Sequence, residues 1–200
     1  MLENRKSRNR SLIILAGGKS GRMGEPKPIL LIKQKRLVDY SIENLKGLFG
    51  EILVVVKERK QCIEPYPCIL DNSYEYAPIF GLYAGLKASK SLVNLVVACD
   101  MPFIKRELVQ FLLSKAEECR ADAVVPVVGG YFEPLLAVYN KSCIDAIEGE
   151  IKKGNLKITG FYSRVNIKSV SEEEIRIFDP EFQSFVNINT KEDLKAFFRD

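Results

Sequence analysis

Short, nearly continuous apolar runs alternate along this chain with stretches whose apolar residues recur every three to four positions. The first pattern reads as buried strand and the second as amphipathic helix. Strand-like runs fall at 11–16, 52–56, 68–70, 93–99 and 123–127. Helical periodicity marks 37–48, 78–89, 105–119, 141–152 and 190–198, with Pro78 in a first turn and Gly50 closing the earliest of these helices. A strand over 133–139 follows a hairpin-type connection across Gly129-Gly130, and 165–170 and 175–178 read as short strands. Strands rich in Val, Ile and Leu that alternate with helices predict a mostly parallel sheet covered on both faces. No linker, repeat or low-complexity stretch divides the 200 residues. The expectation is a single α/β domain over 11–200, a three-layer sandwich, preceded by a flexible basic tail over 1–10.

The first apolar run, Leu12-Ile13-Ile14-Leu15, ends in a loop with four glycines (Gly17, Gly18, Gly21, Gly24) and three cations (Lys19, Arg22, Lys27). Glycines let the backbone approach a ligand closely, and successive N–H groups form an anion-binding concavity. The physical reading is a phosphate cradle at the C-terminal end of the first strand, where open α/β sheets bind ligands. It is not a P-loop: Gly18-Lys19-Ser20 fits the end of that motif, but Ile13 occupies its first glycine position. The Rossmann G-x-G-x-x-G spacing is also absent, since the loop offers only G-x-x-G.

Two other strands end in aspartate, at Leu70-Asp71 and Cys99-Asp100. In a parallel sheet these carboxylates share one edge with the glycine loop. Asp100 stands five residues before the predicted helix, too early to cap it, and its hard oxygens suit Mg²⁺.

Composition narrows the chemistry. There is no histidine, which removes imidazole acid–base and Ser-His or Cys-His catalysis. Five scattered cysteines lack zinc-site spacing and read as separate thiols in a reducing compartment. Of the net charge of +4, the first ten residues hold +3, so basicity belongs to the tail and does not argue for nucleic acid. No run approaches the ~18 apolar residues of a membrane span, and the tail lacks a signal-peptide core. A cytoplasmic protein is expected.

The run L-A-G-G-K-S-G-R-M-G followed by Pro26-Lys27 resembles the signature loop of the molybdenum cofactor guanylyltransferases, the MobA family, within a wider group of small-molecule nucleotidyltransferases. Asp100-Met101-Pro102 resembles the family's metal-binding D-x-P. Pro78-Ile79-Phe80-Gly81 resembles its G-P-[LI]-x-G loop, with Ala77 where glycine is usual. Pro134-Leu135-Leu136-Ala137-Val138-Tyr139 and Phe185-Val186-Asn187-Ile188-Asn189-Thr190 resemble two later motifs.

The resemblance implies a Rossmann-like, nucleotide-diphospho-sugar transferase (GT-A-like) fold. It implies transfer of GMP from GTP to molybdenum-pterin cofactor with Mg²⁺, and dealings with other cofactor-biosynthesis or acceptor enzymes. Nucleotide binding would fall to Leu15, Ala16, Gly17, Gly18, Lys27, Asp71 and Asp100. Arg22, Lys27 and Asp100 would be catalytic, Asp100 also holding the metal. Pro134, Tyr139, Asn187 and Asn189 would face the second substrate. Lys57 stands where some members carry a nucleotide-touching Asn, and stays outside this set. Guanine rests only on Gly17, where many cytidylyltransferases have Ala. The alternatives are a cytidylyl- or sugar-phosphate nucleotidyltransferase of the same fold, or a non-catalytic carrier of nucleotide or pterin.

Overall fold

A computed structural model describes residues 9–18 and 29–197. In chain order they form β1 (Arg10–Leu15), a small hairpin of β2 (Leu31–Ile32) and β3 (Lys35–Arg36), α1 (Leu37–Asn44), β4 (Glu51–Val56) and β5 (Cys68–Leu70). There follow α2 (Pro78–Ala88), β6 (Val93–Ala98), α3 (Arg106–Cys119), β7 (Ala123–Val128), β8 (Tyr131–Phe132) and β9 (Leu136–Asn140). The chain continues through α4 (Ile144–Lys152), β10 (Ile167–Val170), α5 (Glu172–Arg176) and α6 (Lys191–Phe197).

The main sheet runs β10-β7-β9-β6-β1-β4-β5, with β8 paired to β7. The β6, β1, β4 and β5 neighbours are parallel, as are β10 and β7, while β9 runs antiparallel between β6 and β7. Alternate residues of the central strands serve opposite faces. Leu12, Ile14, Val54 and Val97 pack with Val38 and Ile42 of α1 and Leu108 and Leu112 of α3. Ile13, Val55 and Val96 pack with Ile79, Leu82 and Leu86 of α2 and Ile147 of α4. That is the three-layer sandwich expected of strands buried on both sides.

Several expectations change at the edges of elements. The helix over 37–48 stops at Asn44, and Gly47 at φ 84° turns the chain toward β4. Residues 133–135 form a turn closed by Leu136 N–H donating to the Glu133 carbonyl at 3.3 Å, so the strand begins only at Leu136. The strand expected over 175–178 is instead the last two residues of α5 and the turn after it, because Ser171 and Glu174 form a reciprocal capping box that starts a helix. Arg10, assigned to the tail, is the first residue of β1 and pairs with Glu117. The cysteines are not all separate thiols: Cys62 and Cys68 form a disulfide, since the β4–β5 connection doubles back and brings their Cα atoms to 5.5 Å. Cys99 and Cys143 are buried thiols, and Cys119 is exposed.

Helix α2 packs closely on the sheet through two glycines that face it. A Cβ at Gly81 would stand 3.3 Å from Leu15 Cδ2, and one at Gly85 only 2.5 Å from Ile13 Cγ2. Ile13 is wholly buried in the central strand and has no room to yield. Gly85→Ala should therefore destabilise by about 1–3 kcal/mol through overpacking, outweighing the ~1 kcal/mol that alanine gains in helix propensity. A lower urea midpoint with unchanged slope is the expected result; a raised midpoint would mean that the helix stands off the sheet.

Candidate active site

Strand register decides which residues meet. Leu70 pairs with Val56, Val55 with Leu15, and Leu15 with Ala98. Stepping off the C-terminal strand ends at that register puts Asp71, Lys57, Gly17 and Asp100 in one row across β5, β4, β1 and β6. The sheet's bonding extends into this row: Ala16 N–H donates to the Val55 carbonyl at 2.7 Å, Asp71 N–H to Val56 at 3.0 Å and Cys99 N–H to Leu15 at 3.1 Å. Three strand spacings separate the two aspartates, roughly 14 Å, enough to lay a nucleotide across. Above the row opens a cavity of about 390 Å³.

At one end, Lys57 and Asp71 form an ion pair with Nζ 2.8 Å from Oδ1, their side chains only 7% and 5% exposed. The same ammonium donates to Ser73 Oγ at 2.6 Å and to the carbonyls of Ser73 and Glu75. The backbone N–H of Lys57 is held by the buried Gln61 side chain at 3.0 Å. Gly17 keeps the floor open beside this pair: a Cβ there would lie 3.2 Å from Lys57 Cγ and 3.7 Å from Asp71 Oδ2. Tyr76, Pro78 and Gly81 line the same end. Ala77, where the resemblance expects glycine, sits at φ −134°, ψ 134°, a conformation open to any residue.

At the other end Asp100 enters from the turn after β6, with Leu135 and Asn187 lining the cavity beside it. The N-cap of α3 is Lys105, so Asp100 is not spent on capping. The Ile188 N–H donates to the Asp100 carbonyl at 2.8 Å, tying the Asn187 segment to this turn. Among the described residues no three Asp, Glu, Cys or His side chains cluster as a metal cage. Asp100, as a carboxylate lining the cavity, nevertheless fits Mg²⁺, which takes one or two carboxylates and fills its remaining positions with substrate oxygens and water.

The cavity thus gathers Leu15, Ala16, Gly17, Gly18, Asp71, Asp100 and Asn187 from the expected set. Arg22 and Lys27 lie outside the described residues. Tyr139 does not face the cavity: it is completely buried, its hydroxyl donating to the Pro134 carbonyl at 3.0 Å and lying 2.8 Å from the Tyr162 hydroxyl. Burial, reinforced by Tyr162, pushes its phenol well above the usual range. It is a packing residue, and Pro134 is its backbone partner rather than a cavity wall. Asn189 is exposed at the start of α6, where Thr190 caps the helix by accepting from Asp193 N–H at 3.1 Å. Glu133, on the turn before Leu135, is half-buried and its carboxyl is raised by that burial. Sequence reasoning set Lys57 aside, placed Leu135 in a strand without a site role, and missed Tyr76.

Three comparisons agree with this geometry. The MobA-like NTP transferase domain matches residues 12–165. A molybdenum cofactor guanylyltransferase of Syntrophotalea carbinolica is 33% identical over 190 residues, covering 94% of this chain and 90% of the relative. The crystal structure of molybdopterin-guanine dinucleotide biosynthesis protein A from Archaeoglobus fulgidus superposes with a TM-score of 0.80 at 33% identity, covering 93% of this chain and 95% of that one. A 2-C-methyl-D-erythritol 4-phosphate cytidylyltransferase from Thermus thermophilus shares the fold at a TM-score of 0.68 and 18% identity, covering 93% and 95% of the two chains. With its glycine loop, two strand-end aspartates and a family match over residues 12–165, the chain belongs to the MobA-like NTP transferase family.

Proposed function

We propose that the protein transfers GMP from GTP to the phosphate of molybdenum-pterin cofactor, yielding the guanine dinucleotide form and pyrophosphate. The observation that carries this reading is the row Asp71–Lys57–Gly17–Asp100 across the strand ends, which sets the paired Lys57 and Asp71 at one end, for a base, and the Asp100 carboxylate at the other, on the phosphate side. The guanine choice draws on the names of relatives that cover most of the chain.

In this reading the base lies over Gly17 against Pro78 and Gly81, with its N–H edge toward Asp71. The backbone at Ala16–Gly18 receives the phosphates, and Arg22 and Lys27 neutralise the β- and γ-phosphates. A phosphate oxygen of the second substrate, placed on the Leu135 and Asn187 side, forms a bond to the α-phosphorus. The bond from that phosphorus to the bridging α–β oxygen breaks, and pyrophosphate leaves with its electron pair. A phosphate nucleophile is already anionic, so no protein base is needed, in keeping with a chain that has no histidine. Catalysis is then positioning and charge neutralisation. Mg²⁺ on Asp100 would supply Lewis-acid stabilisation of charge on the phosphate oxygens. The site of action would be the cytoplasm; among the described residues no helix is long and apolar enough to cross a membrane.

Titration of the purified protein with GTP, CTP, ATP and UTP in the presence of Mg²⁺ should give the tightest binding for GTP. Equal or tighter binding of CTP would transfer the assignment to a cytidylyltransferase. Asp100→Ala should lower Mg²⁺-dependent pyrophosphate release with GTP and cofactor by about 10²–10³-fold, with the urea midpoint unchanged. Retained turnover in that variant would remove the metal and catalytic roles from Asp100.

A further inference from the structure

We propose that Lys57 is a positioning residue for base selection: it does not touch the nucleotide, but holds Asp71 so that one carboxylate oxygen alone reads the base. This rests on the reading of the cavity as a nucleotide site. The ammonium of a lysine has three N–H donors. Here they face Asp71 Oδ1, Ser73 Oγ and the carbonyls of Ser73 and Glu75, so none remains for a ligand. Asp71 Oδ1 is likewise occupied, accepting from Lys57 and from the Ser73 N–H at 3.2 Å. Oδ2 differs. It has no hydrogen-bond partner among the described residues, is not one of the sealed-in polar atoms, and lies beside the bare Gly17 floor.

Lysine thereby removes the freedom of a carboxylate to rotate and offer both oxygens. A single fixed acceptor suits the N–H edge of a base and penalises a base that places an acceptor there, because two facing acceptors in a desolvated pocket are costly. The same ammonium anchors the loop carrying Tyr76, whose ring centroid is 5.3 Å from Nζ, and so sets that wall as well.

The test is a double-mutant cycle read on selectivity rather than on affinity. Kd values for GTP, ITP, CTP and ATP are measured for the wild type, Lys57→Met, Asp71→Asn and the double variant. Lys57→Met should reduce the preference for GTP over the other nucleotides by about tenfold or more, as Asp71→Asn does. The double variant should be no less selective than Asp71→Asn alone. Weakening of all four nucleotides by one common factor would mean a merely structural lysine and overturn the proposal. So would additive losses in the double variant, which would mean a direct contact by Lys57. Should Lys57→Met alone fail to fold, the double variant, which leaves no unpaired buried charge, is compared with Asp71→Asn: equal selectivity supports the proposal and further loss overturns it. A wild type that prefers CTP overturns the guanine reading, and the cycle then decides the role of Lys57 on CTP selectivity. A wild type with no base preference overturns both.

Discussion

The buried ion pair between Lys57 and Asp71 is the constraint around which the cavity is arranged. Two charges withdrawn from water are tolerated when they pair closely and draw on further hydrogen bonds, and removing one partner alone typically costs about 3–5 kcal/mol. Here the remaining ammonium donors are taken up by Ser73 and Glu75 and the lysine backbone by Gln61. The pair therefore couples the ends of β4 and β5 to the loop that follows. One end of the cavity becomes a fixed polar wall, with Asp100 lining the other end.

That wall works because the sheet brings it level with the glycine loop. Parallel register carries Asp71, Lys57, Gly17 and Asp100 to the same height, and the helices on both faces hold the strands in that register. Gly81 and Gly85 let α2 settle onto β1 and β4, so Tyr76 and the first helical residue, Pro78, meet the cavity. Packing on one face and recognition at the edge are in this sense one property of the sequence.

Much of this was legible from residue pattern. The apolar runs located the parallel strands, and two of them ending in aspartate pointed to the functional edge. What pattern missed was non-local or lacked its usual marker. Lys57 gains its role from Asp71, Ser73 and Glu75, which reach it only when β5 pairs with β4. Tyr139 shows the motif's tyrosine, yet its hydroxyl finds Tyr162 across the fold and so turns inward. The β2–β3 hairpin turns through Lys33 and Gln34 at φ 47° and 65° without the glycine or asparagine that normally announces such a turn. The helix α5 did carry its signal, in Ser171 and Glu174, but four short residues of apolar alternation obscured it. Cys62 and Cys68 meet because their loop doubles back, which spacing alone does not disclose.

Whether the nucleotide lies along the row, with its base at Asp71 and its phosphates toward Asp100, is decided by a crystal structure with Mg²⁺ and a non-hydrolysable GTP analogue. The expected result is a guanine N–H about 3 Å from Asp71 Oδ2, Lys57 still bonded to Oδ1, and the α-phosphate on the Asp100 side. A base seated against Leu135 and Asn187, with phosphates reaching Lys57, would contradict it.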